Sequence, residues 1–262
     1  MKILFIGDID ALSGRQAVAK LLPQMKGDRQ IDLVIANAEN LDGLGAREVH
    51  IRQMQEAGVD IFTSGNHIWD DPDITPLIQK EDSPLLRPAN YSVGTPGTGA
   101  RLLSLSNSKK VLVINLMGRV FIPQSFDHPF FKFDEIMEQF KGEEPDIVFV
   151  DFHAEATSEK RAFGFYADGR ATAVVGTHTH VPTADAQILP KGTAYITDVG
   201  MVGAKDSVLG LEKEAVIEFF KKEASVKTLV GKMSPNEAEF SAVLIDIDDA
   251  TDQAKSIELI CQ

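Results

Sequence analysis

The stretch KILFIGDID, residues 2–10, decides how the chain is read. Four apolar residues, Ile3 to Ile6, lead to Gly7 and then to two carboxylates, Asp8 and Asp10. An uninterrupted apolar run suits a central strand covered on both faces, and open α/β sheets gather ligands where such strands end. Asp8 is therefore a site candidate, set against the plainer alternative that it caps the next helix.

The pattern recurs outward from that stretch. Strands are predicted in IDLVIANAEN (31–40), VDIFTSGNH (59–67), KKVLVINLMG (109–118), PDIVFVDFHAE (145–155), ATAVVGTHTH (171–180) and TAYITDVG (193–200). Amphipathic helices are predicted in SGRQAVAKLLPQM (13–25), AREVHIRQMQEAG (46–58), FDEIMEQF (133–140) and SEKRAFGFYADG (158–169). The alternation indicates α/β layering. EFSAVLIDID (239–248) and KSIELI (255–260) follow without an intervening helix, which predicts a second, partly antiparallel sheet. SVGTPGTGARLLSLSNSKK (92–110) reads as a loop excursion, and the 262 residues as one domain.

Bulk composition limits the function classes. With 44% hydrophobic and 25% charged residues the chain is of ordinary globular type, and no apolar stretch is long enough to span a bilayer. A formal net charge of -13 opposes nonspecific attraction to a nucleic-acid backbone, so a phosphate-bearing substrate needs a local reversal of field. The single Cys261 cannot form an internal disulfide, and the chain opens on a strand without a signal-peptide pattern. The expected compartment is the cytoplasm.

The residues that follow the apolar runs form a narrow set: Asp8, Glu39 and Asn40, Asn66 and His67, His153, His178 and His180. In a parallel sheet these ends converge. Imidazole, carboxylate and amide donors without thiolate suit borderline divalent ions such as Mn, Fe, Zn or Ni. There are more donors than one tetrahedral ion uses, so two ions sharing a carboxylate, about 3.5–4 Å apart, are expected. Only Asp8 and Glu39 are anionic, so two divalent ions would leave the site positive and attractive to phosphate.

The blocks GDID, NAEN, GNH, the lone histidine of DFHAE, and GTHTH stand in the order expected of calcineurin-like metallophosphoesterases. The longer phrases MGRVF, DFHAEATSEK, VGTHTHVPTAD and ITDVGMVGAKDSVLG resemble the YmdB-like subfamily over essentially the whole chain. The resemblance implies a four-layer α/β/β/α sandwich of two mixed sheets and phosphodiesterase action on 2′,3′- or 3′,5′-cyclic nucleotides. It places Asp8, Asn40 and His180 on one ion, Asn66, His153 and His178 on a second, and Glu39 between them. Iron or manganese is expected, with zinc compatible; a metal-bridging hydroxide is the expected nucleophile and His67 the acid for the leaving oxygen.

This chain departs from the superfamily pattern at Asp10, where a ligating histidine is usual; a structural role at a turn or cap is expected there. The same ligands would also serve a phosphomonoesterase or a nucleotide-sensing protein without turnover. RNA ends are compatible with the same ligands as a further substrate, but the sequence does not decide for them; DNA and membranes are not expected partners, and self-association is compatible with the sequence. His50 lies in a helical pattern and His128 in the aromatic FDHPFF, both read as packing or surface residues. GTPGTG (94–99) lacks the Lys-Ser/Thr of a phosphate loop and reads as an ordinary turn.

Overall fold

The computed structural model describes residues 1–222, 233–234 and 237–262. One sheet has five strands in the order β14 (Ala254–Cys261), β13 (Ser241–Ile247), β1 (Lys2–Ile6), β3 (Leu33–Asn37) and β4 (Ile61–Thr63). β1, β3 and β4 run parallel, and β13 and β14 close one edge antiparallel. A second sheet has six: β5 (Ala100–Ser104), β6 (Lys110–Met117), β7 (Ile147–His153), β8 (Ala173–Thr177), β10 (Ala194–Ile196) and β9 (Gln187–Ile188). Its four middle strands are parallel. A short ribbon joins β12 (Ala238–Glu239), β11 (Met201–Ala204) and β2 (Asp8–Ile9).

Side-chain alternation along the strands builds the layers. In β1, Ile3 and Phe5 enter the cluster shared with Val111, Val113, Ile147 and Phe149 of the other sheet, while Leu4 and Ile6 face the opposite way. Phe5 and Phe149 stack across this inner seam with ring centroids 5.4 Å apart. Helices α1 (Ala11–Arg29) and α2 (Glu48–Ala57) cover the outer face of the first sheet. α1 buries Ala11, Gly14, Arg15, Val18, Leu22 and Met25, the three-and-four spacing of an inward stripe. α4 (Pro129–Gln139) and α5 (Thr157–Ala167) cover the second sheet through Phe133, Ile136 and Phe163 packed on Leu112, Val148 and Phe152. The result is a four-layer α/β/β/α sandwich of two mixed sheets. The short α3 (Thr75–Ile78) and α6 (Lys213–Lys222) complete the described α-helices. No helix among the described residues is long and apolar enough to cross a membrane.

Two expectations are corrected. β13 and β14 do not found a second sheet; β13 pairs onto β1 and β14 onto β13, because SAVLIDI offers apolar residues to both faces of the first sheet. Within the expected excursion, Ala100–Ser104 forms the antiparallel edge strand β5. It is only partly buried and so lacks a strong apolar signature.

Candidate metal centre

All parallel strands present their carboxyl ends on one side, and the predicted residues sit there. Asp8 follows β1 across Gly7, Glu39 and Asn40 follow β3, Asn66 and His67 follow β4, His153 ends β7, and His178 and His180 follow β8. The two sheets are tied together at this end by Asp151. Its carboxylate accepts from Asn37 Nδ2 of β3 at 2.9 Å, from the Thr63 hydroxyl of β4, and from Thr177 Oγ1 of β8 at 2.7 Å.

These bonds set the histidine tautomers. Thr177 has one hydroxyl proton, and it goes to Asp151, so the oxygen accepts from His153 Nδ1–H, 2.8 Å away. His153 Nε2 is left facing the site. His178 has the opposite arrangement: its Nε2 lies 3.1 Å from Glu155 Oε2, and its Nδ1 turns inward to 3.0 Å from His153 Nε2. Among the described residues, Glu39, His153 and His178 form the group of His, Cys, Asp or Glu residues whose donor atoms lie within 4.8 Å of one another. Glu39 Oε2 is ion-paired with His153 Nε2.

Electrostatics show what the cluster requires. Burial would lower His153, but Glu39, Asp8 and Asp151 outweigh it and push the ring up to about 9. Burial raises Glu39, yet the attraction of His153 brings it down to about 2. Burial and the His153 charge together lower His178 to about 3. Burial raises Asp8 well above the usual carboxylate range. A proton on His153 thus occupies the place where a cation would satisfy both ring nitrogens and both acids.

Further atoms await a partner. Asp8 Oδ1, Asn40 Oδ1, Asn66 Oδ1 and His180 Nδ1 are buried without a hydrogen bond, which is uncommon in native interiors. Asn40 Nδ2 lies 2.8 Å from His180 Nε2, joining the loops after β3 and β8. Gly65 is required by close approach: a Cβ there would run into Glu39 Oε2 and His153 Nε2. The donor set therefore fits borderline divalent cations. His67 stands at the rim, its side chain 34% exposed, with Nε2 3.9 Å from Glu39 Oε1 and Nδ1 2.6 Å from Asp70.

Asp10 stands at the expected cap position, but not as a hydrogen-bonding cap. It occupies the N-cap position of α1, but its side chain makes no capping bond; Oδ2 is buried without a partner, and burial raises the carboxyl to about 7. The side chain is instead turned against Gly203 and Gly210, where a Cβ on either glycine would meet it. His128 is exposed at the start of α4, its ring 4.7 Å from that of Phe131. His50, on α2, faces Asp42 at 3.3 Å. Sequence reasoning missed the supporting groups Asp70, Asp151, Glu155, Lys160, Thr177 and Asp198. The visible signals were an acid inside the apolar run IVFVDFH and a lysine on the inward stripe of α5.

A four-layer sandwich with nitrogen and oxygen donors gathered at the strand ends of both sheets is the architecture of the calcineurin-like metallophosphoesterases, a class of hydrolases acting on phosphoric esters. Within that class the chain belongs to the YmdB-like protein family, whose model matches residues 4–260. It is 47% identical over 262 residues to the 2′,3′-cyclic-nucleotide 2′-phosphodiesterase of Bacillus subtilis (strain 168), covering 99% of this chain and 96% of that protein. A solved structure described as a hypothetical protein from Thermus thermophilus superimposes with a TM-score of 0.92 at 41% identity, covering 100% of this chain and 99% of the other. A structure described as a novel phosphatase from Mycoplasma pneumoniae gives 0.90 at 36% identity, covering 100% and 93%.

Proposed function

We propose that the protein hydrolyses the phosphodiester of a small cyclic nucleotide, with 2′,3′-cyclic nucleotides the preferred class, at a centre of two metal ions. The observation that carries this reading is the approach of His153 Nε2 and His178 Nδ1 to 3.0 Å beside Glu39. In this reading Asp8, Asn40 and His180 hold one ion, Asn66, His153 and His178 the other, and Glu39 joins them. Iron or manganese suits the donors, and zinc is compatible; the lone Cys261 is exposed on β14. Such ions supply a Lewis acid for phosphoryl oxygens and lower the pKa of a bound water toward 7. The substrate class is supported by the Bacillus relative named above, and residues 1–262 are read as one domain around the site.

The chain's own side chains prepare the rest. Thr177 and Glu155 fix the two ring tautomers, so each ring offers one nitrogen inward. Asp70 holds His67 by Nδ1 and leaves Nε2 facing the Glu39 side of the site. From there His67 delivers a proton to the departing ribose oxygen.

The test is turnover with manganese of 2′,3′-cAMP, 3′,5′-cAMP, bis-p-nitrophenyl phosphate and p-nitrophenyl phosphate. The expected order places 2′,3′-cAMP first and the monoester last. Preferential cleavage of the monoester overturns the reading in favour of a phosphomonoesterase. Tight nucleotide binding without hydrolysis overturns it in favour of a sensor.

A further inference from the structure

The turn that carries His178 and His180 is gripped by groups that the proposed ions do not use. Thr179, between the two histidines, gives both of its donors to one carboxylate oxygen. Its N–H lies 3.1 Å and its Oγ1 2.8 Å from Asp198 Oδ2. Lys160 Nζ reaches the same oxygen at 2.6 Å, and Asp198 Oδ1 accepts the Gly200 N–H at 2.8 Å. Both members of the Lys160–Asp198 pair are 1% exposed.

Stability alone accounts poorly for this pair. Burying a lysine and an aspartate costs desolvation that their attraction roughly repays, and apolar residues of similar volume often do as well or better. Lys160 sits on an inward stripe with Phe163, Gly164 and Ala167, where an apolar side chain would fill the space. The turn itself is strained. His178 has φ 102 and His180 φ 63, conformations that are unfavourable for a non-glycine residue and persist only where the surroundings over-determine them. Here the over-determining group is Asp198, on which four donors converge. Because Lys160 neutralises it, the clamp adds no net charge beside a centre built for cations.

We propose that Lys160 and Asp198 are positioning residues for the metal centre: their ion pair grips Thr179 and so holds His178 and His180 in the left-handed conformations that carry both rings to the site. The inference rests on the reading that these two histidines are metal ligands. Both side chains are 1% exposed, and they act through the backbone and hydroxyl of Thr179.

The experiment is titration of the metal-stripped full chain with Mn²⁺, alongside thermal unfolding with and without the ion. The variants are Asp198→Asn and the double variant Lys160→Met with Asp198→Asn, which leaves no unpaired buried charge. Expected is a fall of about 10–100-fold in manganese affinity, the range for groups that orient ligands. The rise in Tm on adding manganese shrinks correspondingly, and kcat falls more than KM changes. A purely structural pair would instead lower Tm equally with and without manganese and leave the affinity alone; that result in a folded variant overturns the proposal. Should both variants fail to fold, Thr179→Val decides, since it removes only one of the two bonds to Asp198. A several-fold weaker manganese affinity supports the clamp, and an unchanged one overturns it. Wild-type protein that takes up no manganese overturns the metal-centre reading itself, whereas equal uptake by wild type and variant overturns only the clamp.

Discussion

The two ends of the parallel strands treat polar residues in opposite ways. At the amino ends, the residue just before one strand bonds an N–H at the start of its neighbour. Asp32 Oδ2 takes the Lys2 N–H at 2.7 Å, Asp60 Oδ2 the Val34 N–H at 2.8 Å, Asp146 Oδ2 the Lys110 N–H at 2.7 Å, and Thr172 Oγ1 the Val148 N–H at 3.2 Å. At the carboxyl ends, Asp8, Asn40, Asn66 and His180 keep buried atoms without partners, and two histidines have left-handed backbones. Polarity at a strand end is thus no mark of a site. What sets the carboxyl ends apart is that several such unsatisfied atoms, on Asp8, Asn40, Asn66 and His180, gather in one place.

The sharpest way to break this division is at Glu39. Glu39→Gln keeps the shape but removes the charge that draws His153 up to about 9. Turnover and metal uptake are expected to be lost, and manganese should no longer raise the Tm, because a ligand stabilises only what binds it. Elemental analysis and paired melting curves check this. Two full metal equivalents in the variant would show that Glu39 is not a ligand.

His67→Ala tests the rim rather than the floor of the site. The expected loss in kcat is about 10²–10⁴-fold, the usual contribution of a positioned acid, with metal content unchanged. Stoichiometric loss of metal would move His67 into the ligand set and from the rim to the floor of the site.

Much of this division was legible in the chain before any coordinates. Each apolar run became a strand, and the residues that follow the runs lie at one end because parallel strands point one way. The opposite acids, Asp32, Asp60 and Asp146, stand immediately before Leu33, Ile61 and Ile147, so their position relative to the run already separated them from Asp8 and Glu39. What could not be read was anything decided by distant partners. Lys160 meets Asp198 across 38 residues, and only the fold brings them together. β5 hid because a half-buried edge strand needs no continuous apolar run. The sheet that β13 joins was hidden for a related reason: two antiparallel strands pack equally well on themselves or on an existing edge, and pairing with β1 is a matter of tertiary contact.

At the amino ends the comparison predicts the reverse outcome, stability changed and catalysis spared. Asp60→Ala removes the acceptor for Val34 N–H and the partner of Lys26 at 3.3 Å. A cost of about 1 kcal/mol is expected from the lost hydrogen bond, read as a lower urea midpoint, with kcat/KM unchanged. A drop in kcat/KM would mean that the two ends are coupled through β3 and β4.

The smallest effect belongs to Asp248, in the β13–β14 turn at the same amino end. Its carboxylate accepts from Ala250 N–H at 2.9 Å and Thr251 N–H at 3.1 Å and pairs with Lys255 at 3.1 Å. Those two backbone bonds and the lysine hold it down to about 2, against roughly 3.9 for an unfolded aspartate. A depressed folded pKa stabilises the charged, folded form. The contribution is therefore complete above about pH 4 and disappears as the pH falls through 2. Comparing urea midpoints of wild type and Asp248→Ala should show a small gap at pH 6 that closes between pH 4 and 2. Because the group is exposed and screened, added salt should narrow the Lys255 share of that gap but leave the two backbone bonds. A gap that persists at pH 2 would mean that Asp248 contributes by packing, and that the amino end is held by shape rather than by its satisfied carboxylates.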